Sequence, residues 1–188
     1  MDVNDTMFEM LTSLVSDKAK KDILVWNVVR NNLDYDRGLE EAMLNEEVRE
    51  FLFADTLVDR FDAVLDTLFV AFGTVSKLMA TKGVTPNLIE ELLPASTFLT
   101  MLSILSVDLL AAGIPSGKLG IALNEGLDIV IKANMQKTAA KNAEGKVQKP
   151  KNFTPPEAKL DKLIKRLAQD VEKEAEDVKS PRLSEYDE

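Results

Sequence analysis

Apolar residues recur at three- and four-residue spacing along most of the chain, the signature of helices that bury one face. Met7, Phe8, Leu11, Leu14 and Val15 predict a helix over 3–15. Ile23, Leu24, Trp26, Val28 and Val29 predict a second over 17–33, followed by Asn31, Asn32, Asp34 and Asp36, the small polar residues that make turns and caps. A third helix, about 37–53, has Leu44, Val48, Phe51 and Leu52 as its packing side. The fourth, about 56–81, is the most strongly apolar, with Phe61, Val64, Leu65, Leu68, Phe69, Phe72 and Val75, and is expected to stop at Gly83 before Pro86. From 84 to 113 come a short polar piece and a helix of about 95–112, which carries Met101, Leu102, Ile104, Leu105, Leu109 and Leu110. A helix apolar around so much of its circumference is either central or at a subunit contact, so an oligomer is expected. A helix of about 116–138 follows, then a flexible basic loop over 139–156, a charged helix near 156–177 and a polar, disordered end. The fold class is all-α, a helical bundle with a helical insertion and a C-terminal tail.

Two polar clusters change this picture. Glu46, Glu47 and Glu50 fall within an arc of roughly 100° on the third helix. Asp59, Asp62 and Asp66 fall within roughly 60° on the fourth. The short link Phe53–Thr56 allows the two helices to fold back on each other, and six carboxylates then converge on one gap. Glu-rich surface helices are common, and EExxE alone is usually a solvated face. The Asp trio is different, because it interrupts an apolar segment where unpaired acids are costly. Oxygen-only ligands of this kind suit magnesium, or manganese. Gly73 lies on the same stripe as the Asp trio and permits close approach of either a helix or a ligand. Trp26 reads as a core residue or as a base-stacking surface.

Composition narrows the chemistry. The 188 residues contain no cysteine and no histidine, which removes disulfides, thiolate chemistry, the usual zinc ligands and Ser-His schemes. Hydrophobic content of 45% and charged content of 29% are ordinary for a globular protein. Net charge is −9, yet Lys132 to Arg166 holds ten Lys/Arg against Glu144, Glu157 and Asp161. A basic segment near an acidic metal site is what a polyphosphate requires; a solvated basic helix is the plainer reading. No aromatic interleaving supports single-strand nucleic-acid binding. The acidic N-terminus does not read as a signal peptide, and Phe98–Ile114, interrupted by Asp108, is short for a membrane span. A cytoplasmic location and no membrane partner are expected.

The run EEVREFLFADTLVDRFDAVLDTLFVAFGTVSKL, Glu46 to Leu78, resembles the MazG-like and phosphoribosyl-ATP pyrophosphohydrolase-like all-α nucleoside triphosphate pyrophosphohydrolases, whose phage versions carry "EEVxE … ADALADILYVxYGTA". A second block, Asp128 to Lys137, then Glu144 to Val147 and Lys149 to Pro156, resembles that family's "NMxK … DGKVxKGPNFxPP" ending. The resemblance implies an oligomer (dimer or tetramer) with the pyrophosphohydrolase domain at 1–138 and a basic loop, charged helix and tail at 139–188. It implies magnesium-dependent cleavage of a (d)NTP between the α and β phosphates, giving (d)NMP and pyrophosphate for nucleotide-pool control. The suggested substrate is a purine such as dGTP, or else an alarmone-like nucleotide, and the setting is the host cytoplasm if the chain is phage-encoded. Glu46, Glu47, Glu50 and Asp66 are the implied metal ligands, with Asp62 as ligand or water-orienting base; Glu47 and Asp62 are the implied catalytic pair. Asn134 and Lys137 are implied to reach the triphosphate, with Lys132, Lys149 and Asn152 as further substrate contacts; Lys146 and Lys151 also stand in that loop. The chain departs from the pattern in two places. Ala63 stands where many members have the first acid of ExxD, and Ile131 and Lys132 stand where His and Arg often precede the Asn. Base recognition is expected from apolar or amide groups of the N-terminal helices and the Asn31–Asn32 turn. The alternatives are a non-catalytic helical phage structural or interaction protein, and a module that binds nucleotide or metal without turnover.

Overall fold

The computed structural model describes residue 9, residues 12–81 and residues 86–179. Three of its helices begin where a side chain offers oxygen to unpaired first-turn N–H groups. The Ser16 hydroxyl accepts from the Ala19 N–H (3.3 Å) at the start of α1, Asp17–Val29. The Asp36 carboxylate accepts from the Leu39 N–H (3.0 Å) at the start of α2, Arg37–Phe53. At α3, Leu57–Thr81, the Thr56 hydroxyl accepts from the Asp59 N–H (3.1 Å) and donates to the Asp59 carboxylate (2.7 Å). Asp59 is therefore an exposed capping acid, and the expected gap of six carboxylates loses one member.

The remaining helices are α4, Pro86–Leu92; α5, Ala95–Ala111; α6, Leu119–Asn134, preceded by a 3₁₀ turn at Ser116–Lys118; and α7, Glu157–Lys179. Two of them differ in extent from the sequence reading. α1 stops at Val29, because Asn31 adopts a left-handed φ of 48° that Asn tolerates well. α6 stops at Asn134, and residues 135–137 turn away. Of the expected helix 3–15, Glu9 and residues 12–14 are helical; the rest lies outside the described residues, as do Gly83 and the tail from 180.

α3 is the central element, packed by α1, α2, α4, α5, α6 and α7. By length and composition it could cross a bilayer, but 72% of its most apolar stretch is buried inside the protein. α6 reaches it closely at Gly126, where an added Cβ would fall 2.7 Å from both Phe61 and Leu65. α5 buries Phe98, Met101, Leu105 and Leu109 against the core, and its Asp108 is satisfied by Arg60 of α3 at 2.5 Å. Its outer side leaves Leu99, Val107 and Leu110 exposed. α7 is charged, as expected, but it is no appendage. Leu160, Leu163, Ile164 and Leu167, at i, i+3, i+4 and i+7, join the same core as α3 and α6. A boundary at 138/139 therefore separates no second core among the described residues.

Candidate functional site

α2 and α3 run antiparallel, so residues that meet have nearly constant index sums. Glu40 meets Thr74 and Lys77, and seven residues on, Glu47 stands beside Asp66. Between the two helices lies a cleft of about 220 Å³, closed on its far sides by α1, the end of α6 and the segment after it.

The outer part of the cleft gathers most of the expected site. Glu46, Glu47 and Glu50 come from α2 and Asp66 from α3; Asn134 and Lys137 come from the end of α6, and Lys146 and Lys149 from the basic loop. Burial pushes the Glu47 carboxyl up to about 9, with repulsion from Asp66, Glu50 and Glu46 adding to it and Lys137 opposing. Asp62 lies one turn from Asp66 and does not line the cleft. Its carboxyl is raised to about 8 by burial, then by Asp66, Glu157 and Glu50, against Lys149. Asp66 is also raised, again chiefly by burial, while Lys137 and the Asn134 amide pull the other way. It is surrounded by protein yet keeps some accessible surface, because that surface faces the cleft. Burial lowers the Lys137 ammonium, and Lys149 and Arg30 push it the same way. The common cause is burial, to which like charges crowded around the cleft add.

Could these residues hold a metal? Among the described residues no three acids are grouped as a ready ligand set. Lysines accompany them: Lys146 pairs with Glu46, and Lys137 opposes the upward shifts of Glu47 and Asp66. The donor type of the acids is nevertheless the one a hard divalent cation takes. All are carboxylate oxygens, and Asp62 Oδ1 is buried with no hydrogen-bond partner among the described residues. Glu157, at the start of α7, also has a buried carboxylate oxygen without a partner and repels Asp62. Nothing in its sequence neighbourhood pointed to that approach.

The basic loop is not a free strap. Asn142 and Gly145 close a turn, Gly145 takes a φ of 84° that favours glycine, and Lys141 and Val147 form an antiparallel bridge. Arg30 anchors its base. Its guanidinium donates to the carbonyls of Met135 (2.7 Å) and Lys137 (2.9 Å), stacks 4.9 Å from the Trp26 ring, and is buried without a carboxylate partner among the described residues. Two expected contacts lie elsewhere. Lys132 pairs with Asp128 on the surface, and Asn152 sits on an exposed turn; neither lines the cleft. Lys151 is exposed as well.

The inner part of the cleft went unread in the sequence apart from its amide and aromatic side. Trp26, Asn27, Asn32, Phe69 and Gly73 line it together with Glu40 and Lys77. Trp26 serves the core and the cleft at once: it meets Phe69 edge-on at 5.1 Å and donates its indole N–H to the Asn134 carbonyl at 2.8 Å. Gly73 faces Asn27, whose amide would lie 3.5 Å from an added Cβ. The sole trace of Glu40 and Lys77 in the sequence is a lysine inside an otherwise apolar run. No protein-family model, no curated protein and no solved structure matches the chain.

Proposed function

We propose that the protein is a magnesium-dependent nucleoside triphosphate pyrophosphohydrolase of the MazG-like all-α kind, acting on (d)NTPs in the cytoplasm. The observation that carries this reading is one cleft lined both by carboxylates of α2 and α3 and by Asn134, Lys137, Lys146 and Lys149. Such a cleft suits a ligand that is itself a polyanion carrying a divalent cation. Glu46, Glu47, Glu50 and Asp66 of the cleft would hold magnesium, or manganese, with Asp62 added to them by the resemblance; the ion when bound neutralises phosphate oxygens and makes water a better nucleophile. Lys137 and Lys149 supply point charges to phosphate oxygens, and Asn134 supplies a directional hydrogen bond. Water adds to the α phosphorus, its proton passes to Glu47 or Asp62 in the ionised form that a bound cation favours, and the bond to the departing pyrophosphate breaks. The choice of the α phosphorus rests on the resemblance alone.

The test is pyrophosphate release from a nucleotide panel with magnesium, by wild type and by Glu47→Gln and Asp66→Asn. Loss of release in both variants with helical content intact supports the site; no release by wild type from any nucleotide overturns the activity. The lack of a grouped set of three acids among the described residues favours a second reading, a helical binding or interaction protein that does not turn nucleotide over. Binding without release would select it. A homo-oligomer belongs to the proposal through the outward stripe Leu99, Val107 and Leu110 of α5; a monomer at micromolar concentration in the ultracentrifuge would remove it.

A further inference from the structure

We propose that the inner end of the cleft is a base subsite in which Glu40 and Lys77 select a guanine ring, an inference that rests on the polyphosphate reading of the outer end. Glu40 lies seven residues from Glu47 on α2, and Lys77 lies eleven from Asp66 on α3. At 1.5 Å per residue the two ends are roughly 10–16 Å apart. That is the reach of a nucleotide from its base to its phosphates.

The pair at the inner end is buried and has hydrogen-bonding capacity left over. The side chains of Lys77 and Glu40 are 3% and 1% exposed, with Nζ 2.5 Å from Oε1, and the Thr74 hydroxyl donates to Oε2 at 2.7 Å. An ammonium has three hydrogens, and Glu40 is the one acceptor that Lys77 has among the described residues. Each Glu40 oxygen keeps a second lone pair. A buried charge with donors left over is costly unless something in the cleft accepts from them. Both residues line that cleft, beside the aromatic surfaces of Trp26 and Phe69 and the bare backbone of Gly73.

Guanine presents, side by side, the O6 acceptor and the N1–H and N2–H donors. Lys77 donates to O6, and the Glu40 carboxylate accepts from N1–H and N2–H. These are charge-assisted bonds, stronger than neutral ones. Adenine offers that edge one donor group and no O6. Uracil sets a second carbonyl oxygen where Glu40 needs a donor. Inosine differs from guanosine by the 2-amino group alone, so it isolates one bond.

The experiment compares guanosine, inosine, adenosine and uridine triphosphates with magnesium, by calorimetric binding and by pyrophosphate release. Guanosine triphosphate should bind about 10-fold better than the inosine compound and about 100-fold better than the other two, the scale of losing one and then more hydrogen bonds to charged groups. In the neutral double variant Glu40→Gln/Lys77→Gln the guanosine-to-inosine ratio should fall towards one, with folding followed by circular dichroism. Should that variant not fold, the wild-type ratio decides alone. Equal binding of the guanosine and inosine compounds by wild type overturns the base subsite. Release from every nucleotide without preference overturns the subsite and leaves the hydrolase. Guanosine-selective binding without release supports the subsite and overturns the hydrolase, and absence of both binding and release overturns the two together.

Discussion

Replacing Glu47 by Gln should make the metal-free protein more stable at neutral pH, the reverse of what deleting a well-placed carboxylate usually does. In the unfolded chain the side chain titrates near 4.5, whereas in the folded cleft burial and the facing Asp66 raise it to about 9. Below the lower value both states hold the proton and there is no penalty. Between them the unfolded chain has released a proton that the folded one retains, so stability falls as pH rises, by at most ~1.4 kcal/mol per pH unit for one group. At pH 7 that amounts to a ceiling of about 3 kcal/mol. Glu47 is half-buried and opens on a solvated cleft, and its repulsion is shared with Asp66 and Glu50. Screening and sharing reduce the expected effect to roughly 1–2 kcal/mol. Gln keeps the shape and never ionises. The assay is a pair of thermal or urea melts with chelator present, at pH 5 and pH 8. Wild type should lose stability between the two, and the variant should be flatter, exceeding wild type at pH 8 by about 2–8 °C in melting temperature. Added magnesium should reverse the order, since a ligand bound only by the folded state stabilises it. A Glu47→Gln protein less stable than wild type at pH 8 without metal would refute the reasoning from like-charge repulsion.

The two acids three residues apart on α3 should behave oppositely. Asp59→Ala should cost about 0.5–2 kcal/mol in urea denaturation through loss of the cap and leave pyrophosphate release unchanged, whereas Asp62→Asn should abolish release without loosening the fold. Arg30→Met should destabilise by about 2–4 kcal/mol in the same assay, because several carbonyls after α6 lose a charged donor, and amide exchange should quicken over 138–148. Gly126→Ala should lower stability by about 1–3 kcal/mol, since the new methyl meets Phe61 and Leu65 inside a filled core. A neutral or stabilising result there would show that α6 can shift outward freely.

The helices, and the facing of α2 by α3 with acids between them, were legible because a 3.6-residue period and a short link leave few other arrangements. Period tells which side of a helix is apolar; it does not tell what that side meets. Asp59 belongs to the acidic stripe by spacing, yet one hydroxyl at Thr56 turns it into a cap. α7 reads as a charged helix beyond the main domain until the surface of α3 and α6 accepts its four apolar residues. The basic loop reads as free chain until Arg30, more than a hundred residues away, holds its base. Glu40 and Lys77 are single charges in separate helices, 37 residues apart, and only antiparallel packing makes them a pair. The sequence by itself determined the helices and the chemistry each could offer. Tertiary structure decided which of those groups share a space, because burial and partnership are set by contacts distant in the chain.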